Sequence, residues 1–108
     1  GGQGGGMAGT EEAAAATSAV LYCAAKHVAA GCAAQNQAFL ACKKGDQDPA
    51  ACLPQGDQVI SCTLTTLKEI QGKCPKEFNA FAACMDYNSN NFEKCRAQQK
   101  AFLEACPP

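Results

Sequence analysis

Cys32, Cys42, Cys52 and Cys62 stand ten residues apart, Cys74 and Cys84 repeat that interval, and Cys95 and Cys106 stretch it to eleven. No other feature restricts the fold as strongly. Between the cysteines the sequence is helical in character. In the segment after Ser18, a candidate N-cap, Leu21, Ala25, Val28 and Cys32 recur at helical spacing. The stretch from 32 runs to Lys43 and Lys44 in a last turn, with Gly45 as the stop. Asp48-Pro49 then reads as an N-cap followed by a first-turn proline. A further helix is expected through Val59, Cys62, Leu67 and Ile70 to Gly72. Another opens at Cys74-Pro75 and carries Phe78, Phe81 and Cys84, and a last one carries Phe92, Cys95, Phe102 and Cys106.

Ten residues of α-helix advance about 15 Å, which leaves two such cysteines on one broad face. They cannot bond each other, because a disulfide needs Cα atoms about 4.4–6.8 Å apart. Each therefore needs a partner on another helix. If the helix of 32–44 turns back along its successor, Cys42 meets Cys52 near the turn, and ten residues further on each arm Cys32 meets Cys62. The motif CAAQNQAFLAC at 32–42 returns as CPKEFNAFAAC at 74–84. The same register there pairs Cys84 with Cys95 and Cys74 with Cys106, with one surplus residue on the return arm near the chain's last turn. Eight cysteines allow 105 connectivities. This one gives two repeated hairpins in matching register. Each bridge is expected to contribute on the order of 3 kcal/mol, less where loops nest.

That contribution is needed. The hydrophobic fraction of 47% is made largely of alanine and nine cysteines, with five Phe, two Tyr and no Trp. The expected architecture is all-α: a Gly/Ala-rich flexible tail at 1–17, an N-terminal helix at 18–31, and hairpins at 32–72 and 73–108. Pro54 falls within the second arm of the first hairpin and removes an amide donor. Either that helix kinks there, or its regular part begins there after a short turn.

Several function classes find little footing. Formal net charge is −1 and Arg96 is the only arginine, so no basic surface exists for nucleic acid. The longest apolar run, residues 19–25, is far short of the roughly 20 needed to span a bilayer. The N-terminal segment carries no basic residue before Lys26, unlike a secretory signal or an Arg-rich presequence. A zinc site wants closely spaced cysteine pairs, and copper carriers and disulfide oxidoreductases want CC, CxC or CxxC; the shortest spacing here is nine, from Cys23 to Cys32. No metal and no cofactor are expected. His27, the single histidine, reads as a packed or interfacial residue with no carboxylate at helical spacing. Asp46, Asp48 and Asp57 read as capping and solvated groups around a turn. No catalytic residue is assigned. Cys23 is left over by the ladder and reads as a buried, reduced, unpaired thiol.

Phe39, Val59, Phe81, Phe92 and Leu103 each precede a ladder cysteine by three residues. The spacing suits a hairpin core. It also suits transient docking of a nascent helix to an oxidative import receptor.

Helical hairpins stapled by paired C-x9-C motifs resemble the coiled-coil-helix–coiled-coil-helix (CHCH) proteins of the mitochondrial intermembrane space. Two such units in tandem narrow the likeness. The stretches SAVLYCAAKH, DPAACLPQGDQVISC, ACMDY and CRAQQKAF resemble four-motif members of that family among the accessory subunits of mitochondrial complex I. The resemblance implies a structural role without catalysis: a disulfide-locked clamp, peripheral to the inner membrane and holding other membrane-arm subunits of complex I. It also implies import by oxidation in the intermembrane space. The alternative within the same fold is a soluble assembly factor or metallochaperone; a secreted disulfide-rich protein is a third possibility.

Overall fold

A computed structural model describes residues 17–45 and 48–108; most of the tail expected at 1–17, and Asp46, lie outside them. Five α-helices are present among the described residues: α1 (Ser18–Gly31), α2 (Ala33–Gly45), α3 (Leu53–Lys73), α4 (Pro75–Tyr87) and α5 (Arg96–Ala105). Single 3₁₀ turns, Pro49–Cys52 and Phe92–Cys95, lead into α3 and α5. With no strand among the described residues, the fold is all-α and consists of disulfide-stapled helical hairpins.

Local chemistry sets the helix ends. Thr17, not Ser18, caps α1, its hydroxyl accepting from the amide of Val20; Ser18 is already helical. Asp48 caps the first 3₁₀ turn, its carboxylate accepting from the Ala50 amide at 3.1 Å. That turn settles the question of Pro54. The chain turns tightly through Cys52 and enters α3 at Leu53, so Pro54 sits in the first turn, where its missing amide has no helical partner to lose. Asn91 caps the second 3₁₀ turn by accepting from the Glu93 amide at 3.0 Å. Phe92 and Cys95 thus lie in that turn rather than in the last helix. The tight turn Asn88–Asn91 places Ser89 and Asn90 at φ 55° and 63°, in the left-handed region.

Burial divides the molecule unevenly. One core gathers Ala19, Cys23 and Ala24 of α1, Ile70 of α3, Phe78, Phe81 and Met85 of α4, and Phe102 of α5, closed by Cys74, Cys95 and Cys106. Phe102 is its centre, with the rings of His27, Phe78 and Phe81 at centroid distances of 4.8, 5.2 and 5.9 Å. α1 therefore packs into the second hairpin, α4 and α5, as a third helix. The first hairpin, α2 with the leading half of α3, projects from this core as an arm. Among its described residues between Ala33 and Thr66, Cys52 is the only one that is buried.

The two helices of the arm approach closely at Gly56. A β-carbon there would meet the Phe39 ring at 3.4 Å, an ordinary contact distance. Gly56→Ala is therefore expected to stabilise the protein by about 0.5–1 kcal/mol, the helix-propensity gain of alanine over glycine. Gly56→Leu should instead displace Phe39 and lower stability. Thermal melts of the two oxidised variants check both signs.

Candidate functional site

The structure brings the eight ladder cysteines together in four pairs. Cys32 and Cys62 are joined with Cα atoms 5.9 Å apart, and Cys42 and Cys52 likewise at 5.9 Å. In the second hairpin Cys74 joins Cys106 at 6.4 Å and Cys84 joins Cys95 at 6.0 Å. All four separations fall in the range a disulfide needs. The surplus residue in the return arm is accommodated at its ends: Cys95 closes a 3₁₀ turn, and Cys106, at φ −136° and ψ 84°, has left the helix.

The bridges work differently in the two hairpins. In the second they close a packed core. Asn88 braces the end of α4 there, its amide donating to the Cys84 carbonyl at 2.8 Å and lying 3.4 and 3.8 Å from the Cys84 and Cys95 sulfurs. In the arm the bridges take the place of a core. Sequence periodicity alone did not reveal this asymmetry, although Gln35, Asn36 and Lys43 near the inner side of α2 are its signal.

His27 ties α1 to the end of α5. Its Nε2 donates to the Cys106 carbonyl at 2.7 Å, and its ring lies tilted on Phe102. Nδ1 is enclosed without a partner. The residue is held by packing and by one long-range hydrogen bond to a backbone carbonyl. An open cleft of about 360 Å³ beside it is bounded by Thr66, Glu69 and Lys73 of α3 and by Pro107 and Pro108.

Cys23 is free and 4% exposed, and burial pushes its thiol up from the ordinary 9.0 to about 12. It stays protonated, and so weakly nucleophilic, throughout the physiological range. Because the folded state holds this proton more tightly than the unfolded one, its contribution to stability is intact below pH 9.0 and is lost as pH rises toward 12. Unreduced native protein is expected to resist iodoacetamide at about pH 8. Denaturation without reductant should then expose one alkylatable thiol per chain, as read by mass spectrometry; labelling of the native state would contradict the burial.

Among the described residues no three His, Cys, Asp or Glu side chains converge to hold a metal ion. No described helix is long and apolar enough to cross a membrane. Large apolar side chains do meet solvent: Leu40, Leu53 and Ile60 on the arm, and Leu21, Tyr22 and Tyr87 on the core hairpin and its third helix. Phe39, which faces Gly56 across the arm, and Val59 are half-buried, Phe92 and Leu103 are half-buried against the core, and Phe81 is fully buried. The functional features of this chain are therefore its surfaces and the bridges that hold them.

Stapled helical hairpins of this geometry define a CHCH protein, and the CHCH-domain family model matches residues 74–107. The wider comparisons are more specific. The chain is 48% identical over 91 residues, 84% of each chain, to NADH dehydrogenase [ubiquinone] 1 alpha subcomplex subunit 8-A of Arabidopsis thaliana. It is 46% identical over 91 residues to subunit 8-B of the same plant, covering 84% of this chain and 86% of that one. The NADH-ubiquinone oxidoreductase 20.8 kDa subunit of Neurospora crassa is 31% identical over 86 residues, 75% of this chain but 45% of the fungal one. The chain belongs to the family of the alpha subcomplex subunit 8 proteins.

Proposed function

We propose that this protein is a non-catalytic accessory subunit of mitochondrial complex I, a disulfide-locked clamp that helps to hold membrane-arm subunits together on the intermembrane-space face. The observation that carries the reading is the similarity to subunit 8 proteins across 84% of the chain. The compartment is inferred from chemistry: four bridges persist where the environment is oxidising, and the intermembrane space permits them. Peripheral attachment is supported by exposed apolar side chains on helices too short or too polar to span a bilayer. The same fold used as a soluble metal carrier finds no support in the ligand geometry among the described residues.

Entry by oxidation fits the same residues. Phe39, Val59, Phe81, Phe92 and Leu103 are wholly or partly covered once the hairpins close. An oxidative import receptor would meet them only before folding, and bridge formation would then trap the chain.

Affinity purification of the tagged protein from mildly solubilised mitochondria tests the assignment. NADH:ubiquinone oxidoreductase activity should copurify. The tagged chain should also resist protease in intact mitochondria and become accessible when the outer membrane alone is ruptured. Recovery of the chain without that activity, or protection after rupture, would count against the reading.

A further inference from the structure

The four bridges form two matched sets. Cys42–Cys52 and Cys84–Cys95 span 10 and 11 residues, and Cys32–Cys62 and Cys74–Cys106 span 30 and 32. An unfolded chain closes loops of nearly equal length with nearly equal ease, so within each set the loop favours neither hairpin. Access does not separate the shorter bridges either, since each joins a half-buried residue, Cys42 or Cys84, to a buried one, Cys52 or Cys95.

What differs is the protein that remains around two thiols once their bridge opens. In the second hairpin Phe78, Phe81, Met85 and Phe102 still hold α4 and α5 together, and Asn88 still donates to the Cys84 carbonyl. The reduced cysteines stay side by side and reclose readily. In the arm nothing comparable remains, because Cys52 is the only buried residue among those described between Ala33 and Thr66. Opened thiols there separate with the chain. A pair held in place has a far higher effective concentration than a pair on a flexible segment, and that concentration sets how reducing the surroundings must be to keep a bridge open. Across the two sets, a roughly threefold difference in loop length alters closure only about fivefold. Loss of a single core phenylalanine shifts a folding equilibrium on the order of a hundredfold or more.

We propose that the arm is a redox-released element: a dithiol reductant opens Cys32–Cys62 and Cys42–Cys52 first, and the arm unfolds while α1 and the second hairpin stay closed. In each exchange a thiolate of the reductant attacks one sulfur of the bridge, and the other leaves as a thiolate that takes up a proton. The second thiol of the reductant then closes its own disulfide and frees the first cysteine, which is protonated in turn. Two electrons and two protons reach each bridge, and the reductant ends as its disulfide. Reduction thereby removes the arm's outward side chains, Leu40, Leu53 and Ile60, without dismantling the rest. The inference stands apart from the accessory-subunit reading, so the purified full chain tests it.

The oxidised chain is equilibrated in buffers of reduced and oxidised dithiothreitol, quenched in acid, alkylated in denaturant and mapped by mass spectrometry. Cys23 labels throughout and serves as the internal standard. Within each matched set the arm bridge should open at a reduced-to-oxidised ratio about tenfold or more below that of its counterpart, a gap of about 30 mV or more. Between the midpoints Cys32, Cys42, Cys52 and Cys62 should carry label while Cys74, Cys84, Cys95 and Cys106 do not. Amide exchange in the same mixtures should show protection lost over 33–45 and 53–66 and kept over 75–87 and 96–105. Equal midpoints within a set, earlier opening in the second hairpin, or an opened arm that keeps its protection overturns the proposal. Phe102→Ala tests the cause: the midpoints of the second hairpin should move toward those of the arm, whose own stay unchanged. An unaltered gap in that variant would detach the order from core packing and overturn the proposal as well.

Discussion

Replacing Cys32, Cys42, Cys52 and Cys62 together by serine is expected to melt the arm while the rest of the protein stays folded. Each bridge contributes on the order of 3 kcal/mol by restricting the unfolded chain, somewhat less for the nested pair. In the arm almost nothing else opposes the entropy of ordering. Cys52 is the only buried residue among those described between Ala33 and Thr66, and Phe39 is only half covered. Short isolated helices are marginal in water, and α2 has 13 residues. Amide exchange followed by mass spectrometry should show protection lost across 33–45 and 53–66. Protection should persist across 75–87 and 96–105, where the remaining bridges and the aromatic cluster are intact. Retained protection in the arm would mean that packing holds it.

Phe102→Ala should be the most damaging single core substitution, costing about 3–5 kcal/mol in denaturant unfolding of the oxidised protein. The ring is fully buried and touches the three other rings that join α1, α4 and α5. Its removal leaves a cavity that stapled helices cannot easily collapse, since Cys74–Cys106 and Cys84–Cys95 fix both ends of the hairpin. Leu40→Ala, at a position 64% exposed, should change stability by no more than about 0.5 kcal/mol. A comparable loss at both positions would contradict a core confined to α1, the second hairpin and the end of α3.

The contrast between these two experiments shows what could be read from the sequence. Cysteine spacing is a statement about helix geometry, because ten residues fix both a rise and a direction. The all-α, stapled-hairpin architecture was legible on that ground, as was the turn chemistry of Asp48-Pro49. The shift of the cap from Ser18 to Thr17 is a one-residue matter of which hydroxyl reaches the Val20 amide. Two things were not legible. The expected last helix loses Phe92 and Cys95 to a 3₁₀ turn, because Asn91 caps the chain there and no periodicity signals it. The docking of α1 into the second hairpin depends on contacts between residues far apart in sequence, such as His27 with Cys106 and Ser18 with Asn90. Helical periodicity shows that a helix has an apolar face but not which helices cover it. For the same reason nothing in the periodicity distinguishes Leu53 and Ile60, which the fold leaves facing outward, from covered positions.

The account holds that this is a small, fully stapled protein whose work is to be part of a larger respiratory assembly. A native gel of mildly solubilised mitochondria, stained for NADH dehydrogenase activity and probed for this chain, tests that most directly. Alkylation of the excised band without reductant adds the redox state. The account predicts comigration with the active band and one free thiol per chain, that of Cys23. A protein found almost entirely as a small free species, or one carrying several open ladder cysteines within the band, would contradict it.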